Sequence, residues 1–329
     1  MTKGVRLAPP VIQSGLATKN HFLHNHFNSE ESLTTQNFYT MQLSIIIVSW
    51  NVKDLLRKCL QSIIDKTQGL EFEVFVVDNA SKDASALMVA SQFPQVNLIA
   101  SNENLGFANA NNLALEHTQG KYVLFLNPDT ELIENSFKVM FDLMAQDEKI
   151  ALSTCQLIYP DGTLQKNIKN NPNLCDQLLI LLKLHHFFQT KCLNRYLAKN
   201  FIYEKEQEVK QIMGAFMFAR TGVIKEIGGF DPDYFIWWED LDLCMKIQDL
   251  GLKIIYTPKT KIIHHEAKSF AQQMSLEKQK RFNRGMAIYF KKHVGLLSCL
   301  VVKLLSCFSL SLAWLSQIFK IKPKPQSKI

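Results

Sequence analysis

The sequence predicts an α/β fold: a Rossmann-like, mostly parallel central sheet flanked by helices, followed by an apolar helical extension at the C-terminus. Three observations carry that prediction. From Leu43 onward, short apolar runs rich in β-branched residues alternate with stretches of helical periodicity. The loops after those runs are polar and rich in Asn, Asp and Ser. The chain of 329 residues, 47% hydrophobic and 20% charged, is large enough for one substantial core or two modest ones.

Residues 43–48 (LSIIIV) form a continuous apolar run, the pattern of a strand buried on both faces. In 52–66, Leu55, Leu56, Cys59, Leu60, Ile63 and Ile64 recur at the spacing of an amphipathic helix. The unit then repeats as strand 73–77, helix 84–93, strand 96–100, helix 106–118 and strand 122–126. Such alternation requires right-handed crossovers, hence parallel neighbours. Past Ile150 the regularity weakens. Residues 155–163 read as a strand and turn, 174–188 as an apolar stretch ending in paired histidines, 209–220 as a strand, 240–250 as a helix, and 252–256 and 261–263 as strands. Residues 294–319 are apolar apart from Lys303 and several serines.

Thirty-seven Lys and Arg against 30 Asp and Glu give a formal charge of +7, which favours anionic partners. Part of the excess lies in the tail, at Lys320, Lys322, Lys324 and Lys328. The seven cysteines are scattered and never spaced C-x-x-C, which predicts neither a disulfide framework nor a zinc ribbon and suits a reducing cytosol. Residues 1–40 lack a signal-peptide core and are expected to form a poorly ordered extension, with Met41 standing directly before the first strand. The composition excludes disordered, collagen-like and disulfide-stapled classes. No dense basic and aromatic patch points to nucleic acid, and no G-x-G-x-x-G follows 43–48, which argues against a dinucleotide oxidoreductase.

In a parallel sheet, ligands bind at the carboxyl ends of the strands. The four loops there carry Trp50 and Asn51, the run 78–83, the run 102–107, and Asn127-Pro128-Asp129. Each could supply only turns and helix caps; four converging on one edge point to a ligand. Asn127 and Asp129 offer the hard oxygens that suit Mg²⁺ or Mn²⁺. A second constellation sets Glu239, Asp240 and Asp242 behind the aromatic cluster Phe235 to Trp238, where neighbouring rings can raise a carboxyl toward a useful general base. A third, His264-His265-Glu266, ends a strand but lacks the second histidine of H-E-x-x-H.

Together, S-I-I-I-V-S-W-N, V-V-D-N-A-S-K-D, N-x-N-L-G-F-A-x-x-x-N, F-L-N-P-D-T, G-G-F-D-x-x-Y-F-x-x-W-E-D-x-D-L and the late I-H-H with a following Ser resemble the signature of family 2 glycosyltransferases of the GT-A fold. The rhamnosyltransferase-like branch, which builds bacterial surface polysaccharides, is the nearest in pattern. The likeness runs from Leu43 to Ser269. It implies that Trp50 and Asn51 face the nucleotide base, that Asp78 and Asn79 contact base or ribose, and that Asn104, Gly106 and Asn112 line the nucleotide-sugar pocket. It makes Asp129 the metal carboxylate with Asn127 as helper, Asp240 the catalytic base with Glu239 as runner-up, and His264 the late histidine on metal or diphosphate. His265 stays open as the alternative.

The activity so implied is inverting transfer of a sugar from a nucleoside diphosphate to a glycan or lipid-linked acceptor, with Mg²⁺ or Mn²⁺ as cofactor. A non-catalytic nucleotide-sugar-binding scaffold is the alternative. The expected divisions are the extension 1–40, a glycosyltransferase domain 41–290 with a nucleotide-binding half (41–130) and an acceptor and catalytic half (131–290), and an apolar helix with basic tail, 291–329. A helix over 304–319 would reach about 24 Å at roughly 1.5 Å per residue, short of the roughly 30 Å hydrocarbon core. Basic residues around it suit a helix lying on the cytoplasmic face of a membrane, or one packed on the catalytic domain.

Overall fold

The computed structural model describes residues 41–266 and 275–318. The extension 1–40, Ser269 and the lysine-rich tail lie outside the described residues.

The first strands and helices form where the apolar pattern places them. Strand β1 (Leu43–Ser49) sends Leu43, Ile45 and Ile47 into one core, against Leu56, Cys59, Leu60 and Ile63 of α1 (Lys53–Lys66). Its Ile46 faces the opposite core, among Ala108, Ala110 and Ala114 of α3 (Gly106–Leu115). This two-sided burial is why the strand reads as an unbroken apolar run rather than an alternation. Strands β2 (Phe72–Asp78), β3 (Asn97–Ala100) and β4 (Tyr122–Leu126) and helix α2 (Ser85–Gln92) complete the N-terminal part of the fold.

Among the described residues the main sheet has ten strands, in the order β3-β2-β1-β4-β11-β6-β12-β5 with β7 and β9 paired at its margins. The first four are parallel. Strand β11 (Phe216–Arg220) then enters antiparallel to both β4 and β6 (Ile150–Ile158), so the sheet is mixed at its centre. Strand β6 is parallel to β12 (Lys253–His264), and β12 is antiparallel to β5 (Thr130–Leu132). The short strands are β7 (Leu164–Gln165), β8 (Ile168–Lys169), β9 (Gln207–Glu208) and β10 (Gln211–Ile212).

Several elements differ from the sequence reading. The expected strand 209–220 breaks at 213–215, because β10 leaves to pair with β8 in a separate two-stranded sheet while β11 joins the main one. The two expected strands near 252–263 are one, β12, bent by a register shift between Thr257 and Lys261. Strand β6 begins at Ile150 rather than 155, and β5 and α4 (Ser136–Gln146) occupy a stretch to which the pattern assigned no element. The apolar run 174–188 breaks into α5 (Leu174–Leu181) and a 3₁₀ turn at Leu184–His186, with Lys183 at φ +61° between them. Cys175 of α5 forms a disulfide with Cys192 of α6 (Lys191–Tyr196), their Cα atoms 6.5 Å apart. The cysteine spacing missed this pair because the intervening turn, not a local motif, brings the two together; the scatter of thiols therefore loses its force as a sign of a reducing compartment.

Helices α7 (Thr221–Glu226) and α8 (Glu239–Asp249) follow β11, and a C-terminal helix pair packs against the start of α8. These are α9 (Ser275–Tyr289), a π turn at Phe290–Val294, and α10 (Leu296–Ile318). Helix α10 starts at Leu296, earlier than the expected 304, and buries Cys299 and Val302 in a cluster with Trp238, Leu241, Met286, Tyr289 and Phe290. Among the described residues no helix is long and apolar enough to cross a membrane.

A small polar knot fixes β1 against the turn before β4. Buried Ser44 donates to Glu73 Oε1 at 2.6 Å and accepts from the buried Gly120 amide at 2.8 Å. Ser44→Ala strands that amide, and denaturant unfolding is expected to report a loss of about 1–3 kcal/mol.

Candidate active site

Strand β4 runs out at Leu126 into Asn127-Pro128-Asp129, and the chain turns straight into β5, which pairs with the end of β12 so that His264 lies opposite Thr130. Successive side chains on a strand point to opposite faces, and this separates the two histidines. His264 Nε2 lies 3.3 Å from Asp129 Oδ1 and 3.5 Å from Asn127 Nδ2. His265 instead places Nε2 2.7 Å from Glu131 Oε1. His264 is thus the histidine that lies beside Asp129, and His265 lies beside Glu131.

The second nitrogen of His264 is 2.8 Å from Gln165 Oε1. An amide oxygen can only accept, so Nδ1 donates to it and Nε2 is the nitrogen left facing the Asp129 carboxylate. Both side chains are buried, so the two groups meet out of bulk water. Among the described residues no third His, Cys, Asp or Glu joins the pair. A carboxylate, an imidazole oriented by an outer hydrogen bond and a neighbouring amide leave most positions to water and substrate oxygens, and this donor chemistry fits Mg²⁺ or Mn²⁺.

The loops after β1 and β2 clasp each other. Asn51, at φ +54°, accepts from the Lys82 amide at 2.7 Å, and its own N–H donates to Ser81 Oγ at 3.0 Å. Trp50 stands half-buried beside it. Asp78 is buried; its Oδ1 accepts from the Ser81 amide, while Oδ2 has no hydrogen-bond partner. The Asn79 amide is engaged within the protein, donating to Asn104 Oδ1 and Gly106 O and accepting from the Leu105 N–H. Asn104 Oδ1 also accepts from the Gly106 amide. Asn112 forms two hydrogen bonds with the Phe230 backbone, of 2.7 and 2.9 Å, so it locks α3 to the turn before the aromatic cluster. Asn51, Asn79, Asn104 and Asn112 thus hold these loops together, and Asp78 Oδ2 and Ser49 Oγ are buried without a hydrogen-bond partner among the described residues.

Gly106 is required where it stands. Its φ is +80°, and a Cβ there would lie 2.4 Å from Phe235 O. The same carbonyl accepts from the Phe107 amide at 2.8 Å, so the aromatic loop rests on the N-terminus of α3. That loop ends in Trp237 and Trp238 at φ +63° and +75°, a conformation costly for bulky side chains. Helix α9 holds it there: Trp238 packs on Phe282 and Tyr289, with ring centroids 5.5 and 5.4 Å away. Gly285 lets the helix approach, since a Cβ would lie 2.6 Å from Trp238 Cδ1.

Helix α8 begins directly after this turn. Glu239 is buried with Oε2 unpartnered, and burial together with the charge of Asp240 pushes its carboxyl well above the usual range. Asp240 is half-buried and accepts from the Gly214 and Leu241 amides at 3.1 and 2.8 Å. Burial raises its carboxyl, against the pull of those amides and of Lys169. Asp242, buried two positions on, would also be raised by burial, but His293 and Lys246 hold it below the usual range.

The segment Gly214–Ala215 joins the two halves of the site. Asp240 grips the Gly214 amide, and the Asn127 amide donates to Ala215 O at 3.0 Å. Gln165, Lys169 and Gly214 were not foreseen. None belongs to a motif, and each acts through a partner at least 26 residues away or on another element.

The sequence model described as Glycosyl transferase family 2 matches residues 44–227, more than half of the chain. The rhamnosyltransferase WbbL of Escherichia coli K12 is 27% identical over 240 residues, covering 69% of this chain and 85% of its own. An N-acetylglucosaminyl-diphospho-decaprenol L-rhamnosyltransferase of Mycobacterium tuberculosis is 23% identical over 238 residues, covering 69% and 77%. The chain spans only 27% and 18% of the length of two longer curated relatives, the second an O-antigen biosynthesis protein of Myxococcus xanthus. A solved mannosyltransferase of Pyrobaculum calidifontis, in complex with GDP-Man and Mn²⁺, superposes with a TM-score of 0.52 at 17% identity over 87% of this chain and 77% of its own, which shows the GT-A fold. The chain belongs to glycosyltransferase family 2.

Proposed function

We propose that the chain is an inverting, divalent-cation-dependent glycosyltransferase that moves a sugar from a nucleoside diphosphate to a glycan or lipid-linked acceptor in surface polysaccharide synthesis. Rhamnose is the sugar named in two relatives. One observation carries the reading: Asn127 beside the Asp129–His264 pair and the carboxylate Asp240 are fastened to adjacent residues, Ala215 and Gly214. A solved relative in fold with GDP-Man and Mn²⁺ supports the donor class and the metal.

In this reading Asp129 and His264 hold Mg²⁺ or Mn²⁺, which when bound stabilises the charge developing on the departing diphosphate. Asp78 Oδ2 accepts a hydrogen bond from base or ribose, and Trp50 and Asn51 border the base. Asp240 takes the proton of the acceptor hydroxyl. Asp240 accepts from two backbone amides, whereas burial and the neighbouring charge of Asp240 push the Glu239 carboxyl up to about 8, so Asp240 is the base in this reading. Attack from the side opposite the leaving group inverts the anomeric centre. The division at 40 and 290 is retained as a proposal, with the described part of the last segment touching the cytoplasmic face of a membrane through Leu297, Leu300, Leu304 and Phe308, which α10 leaves exposed.

Screening nucleotide sugars for Mn²⁺- or Mg²⁺-dependent hydrolysis and transfer tests the function; no turnover with any donor would overturn it. Asp240→Asn is expected to lower kcat by about 10²–10⁴ while thermal shift reports unchanged donor binding. Because the Asp240 carboxyl is raised by burial, activity should fall on acidification at a higher pH than for an ordinary aspartate, and be regained as pH rises. His264→Ala should weaken metal-dependent donor binding on the order of 10–100-fold, and His265→Ala far less. Gly285→Ala, which pushes Trp238 and with it the start of α8, should reduce kcat by on the order of tenfold or more while leaving donor affinity in place.

A further inference from the structure

Two cavities away from the donor loops meet at the same pair of cations. One, of about 340 Å³, lies between α9 and the loop ahead of α8, with Tyr234, Phe235 and Ile236 on the loop side and Lys280 and Arg284 on α9. The other, of about 440 Å³, lies between α9 and α10 and is lined by Lys280, Arg284, Lys291 and Lys303 with apolar Ile288 and Leu310. Lys280 and Arg284 face both. The second cavity has no carboxylate in its lining; in the first, Glu277 pairs with Lys280 at 2.8 Å, at the surface.

The chemistry changes in order along this path. At its outer end, α10 has no Asp or Glu and turns Leu297 and Leu304 outward, 78% and 74% exposed, with Leu300 and Phe308 on the same side. In the middle stand the four cations. At the inner end, Phe235 and Ile236 belong to the loop that leads into Glu239 and Asp240, and Arg281 lies over the Phe235 ring at 4.1 Å. An apolar track, then concentrated positive charge, then a general base describes an amphiphile whose dianionic head separates a hydrocarbon chain from a sugar hydroxyl. Exposed lysine and arginine close together repel one another unless an anion sits between them, and diphosphate is an anion that can bridge several at once.

We propose that the groove between α9 and α10, centred on Lys280 and Arg284 and extended by Lys291 and Lys303, binds the diphosphate of a lipid-linked acceptor, with its prenyl-type chain along the exposed side of α10 and its sugar directed past Phe235 to Asp240. The proposal rests on the glycosyl-transfer reading above. Basic residues thus line the side of α9 that faces both cavities; Asp233 and Glu277 share the lining of the first, and no carboxylate shares that of the second, where the diphosphate is placed.

The test uses the full chain in mild detergent with EDTA, so that no diphosphate is held through a metal at Asp129. Farnesyl diphosphate is the probe, with farnesol, inorganic pyrophosphate and phosphatidylglycerol vesicles as separate arms. The expected result is that farnesyl diphosphate binds at least about tenfold more tightly than farnesol or pyrophosphate, and that Arg284→Gln with Lys303→Gln weakens it by about tenfold or more. Both positions are exposed, and circular dichroism of the double variant reports whether its fold is kept. Unchanged farnesyl diphosphate binding in the double variant overturns the proposal. So does pyrophosphate binding as tightly as farnesyl diphosphate, or a loss confined to the vesicles, which would mean general attraction to anionic lipid. Failure of the glycosyl-transfer reading shows separately, as absence of metal-dependent donor binding in the unaltered chain.

Discussion

The turn at Trp237 and Trp238 is the constraint on which the start of α8 and its packing against the C-terminal helices depend. Two consecutive bulky residues in the left-handed region cost on the order of 1–3 kcal/mol each, and such a conformation persists only where the surroundings impose it. Here Trp238 is buried against Phe282 and Tyr289, and burying an indole returns roughly 4–6 kcal/mol at about 25 cal/mol per Å² over 150–250 Å². The two quantities are of the same size, so without α9 the turn has no reason to hold. Helix α9 is therefore part of the machinery that aims Glu239 and Asp240, although the family match ends at residue 227.

That dependence extends across the expected boundary at 290. Tyr289 and Phe290 share one apolar cluster with Cys299 and Val302 of α10. Asp242 accepts from His293 Nε2 at 2.8 Å, and Lys292 pairs with Asp231. Whatever touches α10 from outside acts on a helix packed, through α9, against the start of α8. On the proposed reading, the acceptor's lipid and the base that deprotonates its sugar are thus fixed relative to one another by one hydrophobic cluster.

The N-terminal parallel strands were legible because strands buried on both faces have no alternative way to be written: 43–48, 73–77, 96–100 and 122–126 all appear as strands within one residue. Direction was not legible. An apolar run such as that in β11 carries no sign of whether its neighbours run with it, and only the pairing Phe216 with Leu126 sets it antiparallel. The break at 213–215 was hidden for a similar reason, since the Gly214 amide is satisfied by a carboxylate 26 positions away. Asp129 and Asp240 stood out by type and position, whereas the side of the strand on which His264 lies depends on its pairing with β5. Nothing in the letters W-W suggests positive φ, because the conformation is imposed by packing rather than by local preference. The Cys175–Cys192 pair is likewise a product of the turn between two helices.

The charge distribution gives the proposed division of roles a physical basis. The loops at 49–51, 78–83, 101–107 and 127–130 carry one lysine, Lys82, against Asp78, Asp83, Glu103 and Asp129. On the proposed reading, a nucleoside diphosphate approaching them meets net negative charge, which a divalent cation at the buried Asp129–His264 pair would offset. The groove on α9 has the opposite character, with fixed lysine and arginine and no need of a metal. A chain that must hold two diphosphates at once, one about to leave and one that must stay attached to its sugar, gains from holding them by different means. The metal stabilises the charge that grows as the donor bond breaks, while fixed cations bind the acceptor equally before and after transfer and so add affinity without favouring cleavage of its phosphate linkage.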